Sequence, residues 1–236
     1  MNLADSAQTL FGVELTESQL GQFDRLTAEL LLWNAHTNLT AITDPQEIVL
    51  RHYLDSLSLI PALKLADGMR LADVGSGAGF PGLALQIAIP RLYTTMIEAT
   101  GKKARFIAHA IDALGLDRAR ALAARAEDAG RNPHQRAKYD IVVARAVARL
   151  PVLVEYLLPL AKVGGVCVAM KGTTAEAETM DAQGALATLG GEVERIDRVE
   201  LPGLDDPHFL VIMRKTKATP SGFPRNSGIP SKKPLT

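Results

Sequence analysis

Two carboxylates and a run of glycines in the first half of the chain have the spacing of a nucleotide-cofactor site. The segment 71–82 is an apolar stretch that passes through Asp73 into a turn with three glycines at alternate positions. Glycine lets the backbone approach a ligand closely. Glu98 ends the next apolar stretch, about 20 residues downstream, where a carboxylate can accept hydrogen bonds from ribose hydroxyls. We therefore expect Gly75, Gly77 and Glu98 to contact a nucleoside-containing cofactor.

The charge of Asp73 separates two candidate cofactors. Residues 77–82 match the dinucleotide motif G-x-G-x-x-G, which is a weak signal by itself. A dinucleotide would bring a pyrophosphate to the turn, and like charges about 4 Å apart cost about 4 kcal/mol at an effective dielectric constant near 20. S-adenosylmethionine instead carries a sulfonium and an ammonium, which Asp73 attracts, so it is the favoured cofactor. A tight turn without any ligand is a third interpretation, but such a turn does not require three alternate glycines behind an acid.

Hydrophobic periodicity predicts the elements that position these residues. Two helices, 16–33 and 44–65, with caps at Thr16 and Asp44, predict a small N-terminal helical cap over residues 1–67. After it, strands alternate with helices, which is typical of a doubly wound, mainly parallel α/β sheet. The predicted strands are 70–74, 93–98, 120–125, 139–144, 165–170, 192–200 and 208–214, and the predicted helices are 81–89, 102–114, 150–160 and 174–189.

The last two predicted strands have no helix between them. They predict an antiparallel hairpin at one edge of the sheet. That ending suits the Rossmann-like fold of class I S-adenosylmethionine-dependent methyltransferases, here over residues 68–216, better than it suits a dinucleotide-binding sheet.

Ligands of such sheets lie beyond the carboxyl ends of the strands, so further candidates are sought there. The Ala126 backbone N–H can bind N1 of adenine and Glu127 can accept from its amino group, although Glu127 could equally cap a short helix. Arg145 follows the fourth strand, where it would overlook the methyl group and contact a nucleobase or phosphate, unless it forms a surface salt bridge. Lys171 is a weaker candidate of the same kind. For Glu98 the alternative is a solvated strand terminus.

The composition is typical of an intracellular enzyme of modest size. With 236 residues, 47% hydrophobic and 22% charged, the chain can bury one core and carry a small appendage. Cys167, the only cysteine, lies in an apolar run, so we expect a buried thiol and neither a disulfide nor a metal cluster. The N-terminus lacks the features of an export signal, and no run approaches the roughly 18 apolar residues of a membrane span. We expect a cytoplasmic protein without a membrane partner.

A net charge of zero conceals a basic C-terminus. Residues 214–236 contain six basic residues and no acid, which leaves 20 basic and 26 acidic residues before them. The segment 217–236 is rich in proline, glycine and serine and is predicted to lack regular structure. It is either a flexible terminus or an extended strap whose cations lie along a phosphate backbone. The six basic residues are Arg214, Lys215, Lys217, Arg225, Lys232 and Lys233.

Over nearly its whole length the sequence resembles the RsmG (GidB) family, the bacterial 16S ribosomal RNA guanine-N7 methyltransferases. The resemblance rests on motifs spread along the chain at 33–34, 38–40, 51–57, 73–82, 98, 102–106, 125–127, 139–140, 144–146, 171–172, 223–225, 228–230 and 233–235. Two positions depart from the family pattern, because Ala144 stands where a serine is expected and Asn226 where the tail usually has a lysine.

The resemblance implies methyl transfer from S-adenosylmethionine to N7 of guanine 527 in 16S rRNA, with S-adenosylhomocysteine as the product. It also implies cofactor contacts at Gly75, Phe80, Ala126, Glu127 and Arg145. Guanine N7 carries a lone pair and no proton, so its attack needs no general base and positioning supplies most of the catalysis. Arg145 is then the residue expected to orient the guanine.

The implied partner is 16S rRNA or the small ribosomal subunit, with phosphates held by the tail and by Lys102, Lys103 and Arg105. The guanine must lie in a loop or an opened structure, because side chains cannot reach N7 inside an A-form helix. We expect a monomer without a metal site, since the five histidines have no ligand spacing. Two other functions remain distinct: a small-molecule methyltransferase with the same sheet, and a dinucleotide-dependent oxidoreductase or catalytically idle RNA-binding module.

Overall fold

The computed structural model of the protein describes residues 2–204 and 206–235. The chain forms two compact units. The first contains the residues up to Met69 together with Ser76–Ala123, and the second contains Arg70–Gly75 and the residues from Ala124 onwards. The division into a cap, a central domain and a tail at residues 67/68 and 216/217 stays a prediction. None of the helices within 2–204 and 206–235 combines the length and hydrophobicity that spanning a membrane requires.

Helices fill the N-terminal part of the first unit. The Thr16 side chain and Gln19 form a capping box before the second helix, and Asp44 caps the third, which begins with Pro45. The helix predicted over 16–33 is confirmed and continues to Thr37. The elements are α1 Leu3–Phe11, α2 Glu17–Thr37, α3 Pro45–Ile48, a π-helix Val49–Leu54, α4 Asp55–Leu57 and α5 Leu59–Ala62.

The rest of the chain alternates between strands and helices, as predicted. The elements are β1 Arg70–Val74, α6 Gly82–Ala88, β2 Tyr93–Glu98, α7 Gly101–Leu114, β3 Ala119–Ala123, α8 Ala126–Arg131, β4 Tyr139–Arg145, α9 Leu150–Leu157, β5 Ala161–Lys171, α10 Ala175–Asp181, α11 Gln183–Leu189, β6 Gly191–Val199, β7 His208–Lys215 and α12 Ile229–Lys232. The strands predicted by alternation occur within a few residues of their expected bounds.

The strands form one seven-stranded sheet in the order β3-β2-β1-β4-β5-β7-β6. Strand β2 pairs with β3 in parallel, as β1 does with β4 and β4 with β5, whereas β7 pairs with β5 and β6 in antiparallel. The predicted doubly wound sheet and its C-terminal antiparallel hairpin are thus confirmed. Because neighbouring parallel strands run in the same direction, their carboxyl ends lie at the same edge of the sheet. Asp73 of β1 lies opposite Val143 of β4, and Arg145 of β4 lies opposite Met170 of β5.

The structure corrects several predicted boundaries. A single helix was predicted over 44–65, but the π-helix interrupts it, and the helix over 174–189 is divided into α10 and α11. The expectation that residues 217–236 lack regular structure is wrong for α12, which has Pro230 in its first turn. Proline is compatible with a helix at that position because the N–H it lacks would have no helical partner there. Pro230 is also buried, so packing supports this short turn.

Helix α9 is buried along its whole length in the core of the second unit. Its sequence is apolar except for Glu155, whose relative exposure is 0%. A buried carboxylate is costly unless it is paired and hydrogen-bonded. The tail supplies the partner of Glu155.

Candidate cofactor-binding site

The glycine-rich turn after β1 is wound so that glycine is required at more than one position. Gly75, Gly77 and Gly79 have φ angles of 68°, 59° and 89°, in the left-handed region that favours glycine. A Cβ atom on Gly79 would lie 2.3 Å from Cδ1 of Leu83, and one on Gly75 would lie 2.6 Å from Cγ2 of Val147. Gly75 and Gly79 therefore meet two requirements at once, a left-handed backbone and a space too small for a side chain.

The Glu98 carboxylate is bound to this turn. Glu98 ends β2 and is 7% exposed. Its Oε2 accepts the Gly77 backbone N–H at 2.9 Å, and its Oε1 accepts the Thr100 N–H at 2.7 Å. These contacts exclude the alternative of a solvated strand terminus. Because a carboxylate has about four acceptor positions, Glu98 retains the capacity to accept two further hydrogen bonds, as a ribose diol requires.

Phe80, in the same turn, is supported by an aromatic cluster that the sequence analysis did not identify. It is buried and stacks on His52, with ring centroids 4.6 Å apart and an interplanar angle of 11°. His52 and Tyr53 lie on the π-helix, and Nε2 of His52 is 3.1 Å from Oγ1 of Thr40. Burial raises the pKa of Tyr53. His52 is one of five histidines interpreted as structural or surface residues, and its place beneath Phe80 is structural.

Asp73 lies on β1 in the second unit and is fully buried. Removing a charged carboxylate from water is costly unless donors or cations compensate it, and a pyrophosphate would add to that cost. That Asp73 attracts a cationic ligand stays a prediction. Ala144, which stands where the family pattern leads us to expect a serine, is also fully buried, in β4.

The segment after Arg145 is held in place by a nearly buried ion pair. Arg145 is half-buried at the end of β4, and Ala146 follows with a φ of 55°. Nζ of Lys171 lies 2.7 Å from Oε2 of Glu178 and donates to the carbonyl of Ala148. Lys171, the weaker candidate for a nucleobase contact, is thus engaged within the protein.

The same carboxylate also fixes the start of α9, because Glu178 accepts the Leu150 N–H at 2.7 Å. Burial alone would raise the pKa of Glu178, but hydrogen bonds from Lys171, Thr174 and Leu150 lower it below its usual value. Glu178 is therefore ionised at neutral pH, as its pairing with Lys171 requires.

Ala126 and Glu127 begin α8, so the short helix considered from the sequence is present. Their side chains do not cap it. Glu127 is 4% exposed, and its Oε1 accepts the Gly228 N–H from the tail at 2.8 Å. Asp128 accepts the Ser227 hydroxyl at 3.1 Å. The tail was expected to be flexible or to bind phosphates, and these contacts with α8 were not predicted.

Among residues 2–204 and 206–235, partners are described for three of the six C-terminal cations. Arg214 pairs with Glu194, Arg225 pairs with Glu155, and buried Lys215 donates to the Leu189 carbonyl. Burial lowers the pKa of Lys215 to about 8. The remaining three, which are exposed, are Lys217, Lys232 and Lys233.

The basic residues predicted on α7 lie near its N-terminus. Lys102 and Arg105 are exposed and Lys103 is half-buried. Cys167 is fully buried as predicted, and burial raises the pKa of its thiol to about 12. Within the described part of the chain, no group of three His, Cys, Asp or Glu side chains is arranged to hold a metal ion.

The predicted site residues divide between the two units. The first unit holds Gly77, Phe80 and Glu98, and it brings Gly77 and Glu98 together. The second holds Asp73, Gly75, Ala126, Glu127 and Arg145, and Gly75 packs on Val147 in the segment after Arg145. That these residues bind a cofactor stays a prediction.

Comparison with known proteins identifies the family. The GidB family, described as rRNA small subunit methyltransferase G, matches residues 19–207. The chain belongs to this family. Relatives called "Ribosomal RNA small subunit methyltransferase G" include one from Pelotomaculum thermopropionicum, 47% identical over 95% of this chain and 94% of its own. Another, from Roseiflexus castenholzii, is 48% identical over 96% of each chain. The resemblance found from sequence motifs is therefore confirmed.

Solved structures show that the fold of this rRNA small subunit methyltransferase G family member is that of class I methyltransferases. Geranyl diphosphate C-methyltransferase from Streptomyces coelicolor is 15% identical over 69% of this chain and 78% of its own, with a TM-score of 0.54. Precorrin-6y C5,15-methyltransferase from Geobacter metallireducens is 16% identical over 68% and 86%, with a TM-score of 0.52. TrmN from Thermus thermophilus is 19% identical over 71% and 53%, with a TM-score of 0.53. At these identities the likeness concerns the fold alone.

Proposed function

We propose that the protein transfers a methyl group from S-adenosylmethionine to N7 of guanine 527 in 16S rRNA, in the bacterial cytoplasm. The observation that carries the proposal is family membership along nearly the whole chain, with relatives of that name matching 95% or more of it. The rRNA substrate is taken from the names of those relatives, and the guanine and its N7 atom from the resemblance to the RsmG family.

The residues of the first unit suit the ribose of the cofactor. Glu98 is held by the backbone of Gly77 and Thr100 and keeps acceptor positions for two ribose hydroxyls. Hydrogen bonds to a charged carboxylate contribute about 1.5–3 kcal/mol each. Gly77 and Phe80 would line the cofactor from the same turn.

The residues of the second unit suit the methionine and adenine parts. Asp73 would attract the ammonium group, and Gly75 would allow the backbone close to the cofactor. The Ala126 N–H would bind N1 of adenine, while Glu127 would accept from its amino group. None of these roles needs a phosphate-binding residue, which fits S-adenosylmethionine rather than a dinucleotide.

Catalysis in this proposal depends on position. When bound, S-adenosylmethionine supplies an electrophilic methyl group, which guanine N7 can accept through its lone pair. Because N7 carries no proton, no residue of the chain has to act as a general base. Arg145 would orient the guanine through its fixed guanidinium fork, and the Lys171–Glu178 pair steadies the segment that follows it. A near-attack arrangement can supply several kcal/mol of the barrier.

The RNA is proposed to contact exposed cations. These are Lys102 and Arg105 on α7, with half-buried Lys103 beside them, and Lys217, Lys232 and Lys233 in the tail. Each phosphate that a cation neutralises adds affinity that falls with salt. Arg225, Arg214 and Lys215 are excluded from this set because each has a partner within the protein. We expect the enzyme to act as a monomer.

The test is to map N7-methylguanine in 16S rRNA by mass spectrometry in cells that lack the gene. The mark at guanine 527 should be absent, and a plasmid with the wild-type gene should restore it. In vitro, Arg145→Ala should methylate 16S rRNA at less than about a hundredth of the wild-type rate, because positioning by a charged group supplies several kcal/mol. The exposed Arg198, which pairs with exposed Glu200, gives the matched control Arg198→Ala, which should restore the mark fully.

Two results would refute the proposal. An unchanged mark in cells without the gene would assign that methylation to another enzyme. Failure of the purified full-length protein to bind S-adenosylhomocysteine, with binding of NAD instead, would favour the oxidoreductase.

A further inference from the structure

The C-terminal tail is anchored in the second unit by the buried carboxylate of Glu155. The Arg225 guanidinium donates to both carboxylate oxygens, with Nη2 2.6 Å from Oε2 and Nε 3.0 Å from Oε1. The Arg225 backbone N–H donates to Oε1 at 2.7 Å. These hydrogen bonds raise the pKa of Arg225 above its usual value. An undocked tail would leave Glu155 buried without this cation, so the folded state strongly favours docking.

A second arginine holds the tail upstream of this anchor. Arg136 donates to the carbonyl oxygens of Thr219 at 2.8 Å, Pro220 at 3.1 Å and Phe223 at 2.6 Å. It also donates to the carbonyl of Gly130 in α8 at 3.0 Å. One guanidinium therefore ties the tail to α8.

The following tail residues lie along α8. Gly228 and Ser227 donate to Glu127 and Asp128, and Arg131 donates to Asn226. The contact is close, because a Cβ atom on Gly130 would lie 2.9 Å from Cγ of Pro224.

Helix α8 cannot be stable by itself. It has six residues and its N-cap, Arg125, makes no side-chain capping bond. Isolated helices shorter than about 12 residues are marginal in water, so tertiary contacts must stabilise it. The tail contacts α8 along most of the length of this helix, including Glu127 in its first turn.

We propose that tail residues 226–228 position the adenine-binding residues Ala126 and Glu127, so that the tail contributes to cofactor affinity as well as to RNA binding. The proposal rests on the proposed function of Ala126 and Glu127. Gly228 is a positioning residue that acts through Glu127. A tail that served RNA alone would have no need to bind both acidic residues of α8.

The test uses a truncation after Asn226. It keeps the Arg225–Glu155 pair, so the chain should remain folded, with a melting temperature lowered only by the loss of α12 and its buried Pro230, and it removes the donors to Glu127 and Asp128. We expect the Kd for S-adenosylhomocysteine, measured by calorimetry, to rise about tenfold, and the amides of residues 126–131 to exchange hydrogen faster. Lys232→Ala/Lys233→Ala controls for the lost charge and should bind S-adenosylhomocysteine as the wild type does.

A pair of substitutions tests the Gly228 turn and the donor that it presents to Glu127. Asn tolerates the left-handed φ of 82°, and a Cβ atom there meets nothing within 4 Å, so Gly228→Asn keeps the N–H in place. Gly228→Pro removes the N–H and, because proline fixes φ near −65°, also the left-handed conformation that places it at Glu127. The proline variant should raise the KM for S-adenosylmethionine about tenfold with kcat nearly unchanged, and the asparagine variant should stay within threefold of wild type.

The outcomes separate the two proposals. If the full-length protein does not bind S-adenosylhomocysteine, the proposed function fails. If it binds, but the truncated protein binds equally well with equal exchange at 126–131, the proposed function stands and the role of the tail in cofactor binding is overturned.

Discussion

Glu98 and Glu127 are both nearly buried carboxylates, but different parts of the chain hold them. Glu98 is bound by Gly77 and Thr100, which lie near it in the sequence. Glu127 is bound by Gly228, 101 residues away. The proposed ribose side of the site is thus built locally, whereas the proposed adenine side depends on the C-terminus. A change in the tail should therefore affect only one side of the cofactor.

The largest effect is expected at the anchor of the tail. Arg225→Ala leaves the Glu155 carboxylate buried without a cation, which should lower the free energy of unfolding by about 3–5 kcal/mol. Urea denaturation measures this change. The matched control Arg198→Ala, which removes an exposed pair, should cost less than about 1 kcal/mol. A loss of similar size in both variants would show that the tail is not anchored as described.

Glu98→Gln should have the next largest effect, on cofactor binding. Both Glu98 oxygens accept backbone N–H groups, so the glutamine must turn its NH₂ towards one of these donors. Losing charged hydrogen bonds of about 1.5–3 kcal/mol predicts a Kd for S-adenosylhomocysteine at least about tenfold higher. Calorimetry of the folded variant tests this, and wild-type affinity would remove Glu98 from the site.

Glu127→Gln should weaken cofactor binding less than Glu98→Gln does. Only Oε1 of Glu127 has a described backbone donor, and a glutamine oxygen can still accept from Gly228. We expect the Kd for S-adenosylhomocysteine to rise about three- to tenfold, as for one weakened hydrogen bond. If Glu127→Gln raised the Kd more than Glu98→Gln does, the proposed ribose contact at Glu98 would not be the stronger of the two.

The smallest effect is expected at the exposed tail lysines. Lys232→Ala/Lys233→Ala should weaken RNA binding several-fold at moderate salt and reduce the slope of log K against log salt by about 1.4, since each phosphate contact on a single strand contributes about 0.7. Filter binding at several salt concentrations measures the slope. An unchanged slope would show that these lysines do not contact phosphates.

Features that depend on neighbours in the sequence could be predicted. The alternation of strands and helices indicated the sheet, because side-chain periodicity reports burial directly. The absence of a helix between β6 and β7 indicated their antiparallel pairing. The glycines after β1 and Glu98 were identified together, and they are in contact through Gly77.

Features that depend on distant packing were missed. His52 was interpreted only as a structural or surface residue, and its stacking on Phe80 requires the π-helix, where the extra residue in the turn redirects side chains. The tail was judged by its composition, which predicts flexibility. Its contacts with Glu155 and α8 need partners about 70 to 100 residues away, and no local pattern reveals them.

The sequence by itself determined the family, the sheet and the residues around the glycine turn, since these follow from motifs and from periodicities of a few residues. Only the tertiary structure decided how the tail is used. A buried glutamate in an apolar helix must find a cation, and folding brings Arg225 to it, which commits the residues after it to α8. The tail's cations look alike in the sequence, and only the folded structure separates those that pair within the protein from those that face solvent.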